Sequence, residues 1–182
     1  MNLPTPRKHV GGKYELTERP RYPKSSGVFC FWSRPGKVIM KYVLDTTIFN
    51  RILDGRFSLA TLPYASGFVA TKIQLSELKA TNDLDRRAKL LSTFSDVAPE
   101  IEHASFSFDT PGAGFDEGCW REDYYATELR TDLDAIKPRI NNWQDALIAE
   151  VALCGRYCLA TADKNLAKVA ARHGIRVYLV ET

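Results

Sequence analysis

Apolar positions from about residue 40 onward fall into short runs and helical repeats that take turns along the chain. Tyr42, Val43 and Leu44 form a run too short for a helix and rich in β-formers, which predicts a buried strand. Directly after Asp45, Ile48, Phe49, Ile52 and Leu53 recur at helical spacing, and Gly55 supplies a stop. Residues 56–66, with Pro63, predict a loop or a short helix, and 68–71 a brief strand. Ile73, Leu75 and Leu78 predict a helix carrying Glu77; Leu84, Ala88, Leu90, Leu91 and Phe94 predict another over 83–97, with Pro99 beyond its end.

Residues 104–108 alternate apolar and polar over a strand's length, and 109–118 form a loop rich in Gly and Pro. Residues 120–136 read as a charged helix stopped by Pro138. Asn141 and Asn142 open a further helix in which Ala146, Leu147, Ile148, Ala149, Val151, Ala152 and Leu153 are dense enough to require burial on most sides, with Gly155 as its stop. A strand over 157–161, a helix over 164–172 ended by Gly174 and a strand over 175–180 complete the pattern. Strands alternating with helices predict an α/β fold: a central, mostly parallel sheet covered on both faces, since parallel strands need crossover connections.

Residues 1–39 break this rhythm. They hold Pro4, Pro6, Pro20, Pro23 and Pro35 with Gly11, Gly12, Gly27 and Gly36, and lack sustained periodicity. Such a segment buries too little apolar surface to offset its ordering entropy. It is expected to be a poorly ordered extension, or to precede the true start at Met40, with the folded domain over 40–182. Its one apolar cluster, residues 28–32, could dock on the domain as an added strand, but it lacks the apolar length of a signal peptide.

Charge follows the same division. The 182-residue chain has a formal charge of +3, made of +6 in residues 1–39 and −3 in the remainder. The folded part therefore carries no bulk basic field to advertise nucleic-acid binding. No apolar run is long enough to span a membrane. The four cysteines, Cys30, Cys119, Cys154 and Cys158, form no C-x-x-C pair and have no histidine partners at zinc spacing. Cys154 and Cys158 are expected to be small core residues in a reducing cytoplasm.

Candidate chemistry rests on four acids. Asp45 ends the first strand, Glu77 lies on a helix just after a strand, Asp145 lies in the first turn of the buried helix, and Asp163 follows the strand ending at Thr161. In open α/β sheets ligands bind outside the carboxyl ends of the strands, so these acids are placed to converge. Each also has a plainer reading. Asp45 or Thr46 would cap the first helix and Asp163 the last, Asp145 would complement a helix dipole with Asn142 as cap, and Glu77 would be a solvated helix residue.

Converging carboxylates raise one another's pKa or recruit a cation. A donor set of oxygens without histidine or thiolate favours Mg²⁺ or Mn²⁺. His9, His103 and His173 are scattered, a serine hydrolase would need a G-x-S-x-G turn, and the glycines of 109–118 do not fit a phosphate-binding loop.

The run from Met40 to Ile48, the helix with Ser76-Glu77-Leu78, the run Asp145-Ala146-Leu147-Ile148-Ala149 and the ending Leu159-Ala160-Thr161-Ala162-Asp163 together resemble a PIN domain, more narrowly the VapC-type toxins of bacterial toxin/antitoxin pairs. The resemblance covers about residues 40–182. It implies a three-layer α/β/α domain and a Mg²⁺- or Mn²⁺-dependent endoribonuclease of the cytoplasm. It implies Asp45 and Asp145 as metal ligands, with Glu77 and Asp163 completing the acidic pocket. Thr161 would orient that pocket, Thr46 and Thr47 match the small polar residues after the first acid, and Asn165 stands where many members carry a further acid. An antitoxin partner, an RNA substrate and a homodimer are also implied.

Substrate contacts are expected from Arg51, Arg56, Lys72 or Lys164, each of which is otherwise solvated surface charge. Two other classes stand beside this one. A haloacid dehalogenase-like phosphatase or a receiver domain also centres on an acid after the first strand, but the phosphatase wants Asp where Thr47 stands and the receiver a late Lys. A domain of the same fold used only for RNA or protein binding would not need all four acids.

Overall fold

The computed structural model describes residues 39–105, 107, 110–114 and 125–181. The leader, with its 28–32 cluster, His9 and Cys30, lies outside them apart from Ile39, as do Cys119 and the first residues of the helix expected over 120–136.

Strand β1 (Met40–Leu44) leads into α1 (Thr46–Leu53), then β2 (Ala65–Thr71), α2 (Lys72–Lys79), α3 (Leu84–Val97) and β3 (Glu100–Glu102). The second half runs α4 (Tyr125–Ile136), α5 (Asn142–Gly155), β4 (Cys158–Thr161), α6 (Lys164–Arg172) and β5 (Arg176–Leu179). The sheet order is β3-β2-β1-β4-β5 and every pairing is parallel. The expected α/β class with a parallel sheet is thus what the chain forms.

Alternation along β1 divides the interior in two. Val43 faces a core built from Leu129 and Leu133 of α4, Leu147 and Val151 of α5, and Leu166 and Val169 of α6. Tyr42 and Leu44 face Ile48 and Phe49 of α1 and Leu90 and Phe94 of α3, where the Phe49 and Phe94 rings lie 5.1 Å apart. A strand with both faces buried reads as a continuous apolar run, which is the pattern of residues 42–44. After β3 the chain crosses back to the other side of β1, so the winding reverses between β1 and β4. That reversal opens a crevice at the carboxyl ends of the two strands.

Several boundaries depart from the sequence reading. The third strand is Glu100–Glu102 rather than 104–108; of the latter, Ser105 forms an isolated bridge, and Phe106 and Phe108 lie outside the described residues. The pairing with β2 through Val69, Ala70 and Thr71 decides the position of β3, and an exposed edge strand needs no apolar alternation. Leu84, at an apolar-spaced position, is 66% exposed because it opens α3 before that helix meets the core. Cys154 is exposed near the end of α5, whereas Cys158 is buried as expected.

Gly155 does not stop α5 by its own backbone. It is the last helical residue, and Arg156 takes the left-handed turn at φ 55°. A Cβ on Gly155 would stand 2.1 Å from the Tyr157 ring, so glycine is required for space. Asn142 is likewise not a cap. It is the first residue of α5, and its Nδ2 donates to Asp134 Oδ1 at 2.7 Å and to the Lys137 carbonyl at 2.9 Å, which fixes the α4–α5 turn.

Candidate functional site

The Asp45 amide donates to the Ala160 carbonyl at 2.9 Å, which holds the β1–α1 junction against β4. Asp45 occupies the N-cap position of α1, yet its carboxylate makes no cap bond. It is 3% exposed, and its Oδ2 accepts from Thr47 Oγ1 at 2.6 Å and from Thr161 Oγ1 at 2.8 Å. Burial pushes the Asp45 carboxyl above the ordinary carboxylate value. The two hydroxyls and the Thr46 amide oppose that rise, and the charge of Asp163 adds to it. The capping reading therefore fails for this acid.

Glu77 comes from α2, whose start is set by a reciprocal cap. Thr71 Oγ1 accepts from the Ile73 amide at 3.2 Å, while Gln74 Oε1 accepts from the Thr71 amide at 2.7 Å. Gln74 is wholly buried, and its Nε2 donates to the Leu44 carbonyl at 2.9 Å, which ties α2 to the end of β1. Sequence reasoning missed Gln74, although the spacing of Thr71 and Gln74 is the signature of that cap. Glu77 is half-buried, and its Oε2 accepts a short hydrogen bond from Thr46 Oγ1. Burial raises its pKa, the Thr46 hydroxyl lowers it, and the Asp45 charge raises it. A solvated surface glutamate would have none of these neighbours.

Asp145 lies in the first turn of α5, where the helix dipole favours a negative charge. Its pKa is nevertheless pushed up to about 8, first by burial and then by the charges of Asp45, Glu77 and Asp163; only Arg139 opposes the rise. Three acids from other elements act on this carboxyl, so all four share one field.

Asp163 serves differently. Its Oδ1 caps α6 by accepting from the Asn165 and Leu166 amides at 2.7 and 3.1 Å, as the plainer reading expected. Its Oδ2 accepts from Arg139 Nη1 at 3.0 Å. Thr161 links the two strand ends, donating to Asp45 while its Oγ1 accepts from the Asp163 amide at 3.0 Å. Arg139 was missed in the sequence because it lies in a turn after Pro138, with no motif around it. Asn165 enters through its backbone amide.

A groove beside this cluster is lined by Thr47, Asn50, Arg51, Asp54, Arg56, Ala162 and Asp163. It brings Arg51 and Arg56 toward the acids, and Arg51 Nη1 also donates to the Glu181 carbonyl at 3.1 Å. Lys72 opens α2 and Lys164 opens α6; neither lines this groove.

The donor chemistry suits a hard divalent cation: carboxylate and hydroxyl oxygens, with Asp145 accepting no hydrogen bond from a described residue. Among the described residues no group of three or more acid, histidine or cysteine side chains is gathered as a ready cage. Mg²⁺ keeps several waters and takes one or two carboxylates, so Asp45 and Asp145 with Glu77 nearby fit it without such a cage.

No family model matches the chain, and neither does any curated protein. Solved structures do. VapBC2 from Rickettsia felis, bound to a DNA fragment from its promoter, is 21% identical with a TM-score of 0.49, over 77% of this chain and 98% of that one. VapBC-5 from Mycobacterium tuberculosis, of a toxin-antitoxin family, is 24% identical with a TM-score of 0.42, over 79% and 99%. A domain of a functionally unknown protein from Methanocaldococcus jannaschii is 20% identical with a TM-score of 0.45, over 79% and 92%. Likenesses of this size assign no role to any residue here.

Proposed function

We propose that the chain is a Mg²⁺- or Mn²⁺-dependent endoribonuclease. The observation that carries this is the convergence of Asp45, Glu77 and Asp163 on the half-buried Asp145 at the end of one sheet, with Asp45 and Glu77 fixed by threonine hydroxyls. Among the described residues no hydrogen bond reaches the Asp145 carboxyl and only the Arg139 charge opposes the rise of its pKa, which suits a site that waits for a cation.

Asp45 and Asp145 would hold the ion, with Glu77 at its side. The bound ion would lower the pKa of a water and stabilise charge on a phosphoryl oxygen. Thr47 and Thr161 keep Asp45 ionisable and aimed despite its burial, while Thr46 fixes the Glu77 carboxylate. Glu77 is then poised to accept a proton from an attacking water. Arg51 and Arg56 in the adjoining groove would meet the RNA backbone.

The narrower reading is the toxin of a toxin/antitoxin pair, supported by the PIN-like order of Asp45, Glu77, Asp145 and Asp163. A cognate antitoxin would then cover the acids and silence the enzyme. No helix among the described residues is long and apolar enough to cross a membrane.

Total RNA incubated with Mn²⁺ and wild type, Asp45→Asn or Asp145→Asn tests the nuclease. Wild type should generate discrete fragments that both variants fail to produce. Identical products from all three would remove the claim.

A further inference from the structure

Both carboxylate oxygens of Asp163 are already committed, one to the start of α6 and one to Arg139. That leaves Asp163 poorly placed as a metal ligand and makes it the anchor of a guanidinium. Arg139 stands in the turn between α4 and α5, and that turn is held firmly. Asn142 bridges Asp134 and the Lys137 carbonyl, Asp134 also pairs with Arg130 at 3.4 Å, and Arg130 lies 5.4 Å from the Trp143 ring centre. A well-fixed turn thus delivers a cation to the margin of an acidic pocket.

The Arg139 side chain is 41% exposed, and Nη1 makes its one hydrogen bond to a described residue. Its other N–H donors make no hydrogen bond to a described residue. Clustered acids repel an incoming phosphodiester, and a divalent ion held among them offsets only part of that repulsion. A fixed arginine beside them supplies further positive charge, in the geometry that grips two phosphate oxygens at once.

We propose that Arg139 is a substrate-binding residue that holds an RNA phosphate at the edge of the pocket, and that Asp163 is the positioning residue that aims it. This rests on the ribonuclease reading and assigns Asp163 a different duty from the one implied by the family resemblance. Arg139 acts on binding more than on the bond-breaking step, because its anchor places it outside the Asp45–Asp145 pair.

The test uses the full chain carrying Asp145→Asn, so that RNA is not consumed. Binding of a fluorescein-labelled single-stranded RNA in Mg²⁺ is followed by anisotropy from low to moderate salt, with and without Arg139→Gln or Arg139→Lys. Arg139→Gln should weaken binding about tenfold and reduce the slope of log affinity against log salt by about 0.7, the share of one lost phosphate contact on a single strand. Arg139→Lys should keep the slope and recover part of the affinity. A merely structural role would leave the slope untouched, so an unchanged slope overturns the proposal whatever happens to affinity. Absence of RNA binding by the parent together with absence of cleavage by the wild type would overturn it along with the ribonuclease reading, whereas cleavage by the wild type and an unchanged slope in the parent would sink the Arg139 assignment alone.

Discussion

The β1–α1 and β4–α6 junctions lie side by side in the sheet and have the same design: a parallel strand, an aspartate at the N-cap, and a helix. They use the aspartate in opposite ways. Asp163 caps two amides and pairs with an arginine, the ordinary work of such an acid. Asp45 makes no cap bond and is almost fully buried, held by two threonine hydroxyls and by no basic side chain among the described residues. A helix start left without its cap bond forgoes about 1 kcal/mol. The fold tolerates that loss at β1–α1 and avoids it at β4–α6, and under the proposed nuclease function the first junction would hold the ion and the second would support it.

The sharpest way to break this comparison is to neutralise each acid in turn. Asp45→Asn should lower RNA cleavage by at least about 100-fold, the scale of losing one fixed charge in a water-poor site. Asp163→Asn retains a good cap and should lower cleavage only about tenfold, through the loss of aim on Arg139. Initial rates on a defined RNA, with circular dichroism to check folding, would measure both. Equal losses at the two positions would erase the distinction.

How much of this the sequence disclosed depends on the kind of interaction. The strand at 42–44, the helices at α1 and α3 and the buried α5 were legible because periodicity is local and both faces of β1 are apolar. The four acids were legible as residues at strand ends and helix starts. Their different duties were not, since Asp45 and Asp163 present the same local pattern. What separates them comes from far along the chain: Thr161 reaches Asp45 across 116 positions, and Arg139 reaches Asp163 across 24, from the turn between α4 and α5. The β3 edge was misread for the same reason, because pairing with β2 decided it.

The second test exploits charge without neutralisation. The Asp145 pKa is raised from an ordinary 3.8 to about 8, so the folded chain keeps a proton that the unfolded chain releases. Between about pH 4 and pH 8 the folded state binds more protons, and stability must fall as pH rises through that window. Thermal melts of the metal-free protein should show Tm declining from pH 5 to pH 8. Asp145→Asn should flatten the decline. Added Mn²⁺ should raise Tm most at the alkaline end, with proton release on binding visible as a buffer-dependent heat. A Tm that rises with pH in the metal-free protein would contradict the crowded-acid picture.

The smallest effect separates the two tasks of Asp163. Its bond to Arg139 joins two partly exposed groups, 41% and 23% exposed, so solvent screening leaves it worth well under about 1 kcal/mol of stability. Its bonds to the Asn165 and Leu166 amides are cap bonds, worth about 1 kcal/mol together. Asp163→Ser keeps a cap oxygen and loses the arginine partner, whereas Asp163→Ala loses both. Chemical denaturation should therefore place the Ser variant within a few tenths of a kcal/mol of wild type and the Ala variant about 1 kcal/mol below it. RNA binding should fall equally in the two, because each has lost the group that aims Arg139. Stability and RNA affinity falling in step across the pair would mean that Asp163 acts only through α6, and the β4–α6 junction would then be a helix start with no part in the site.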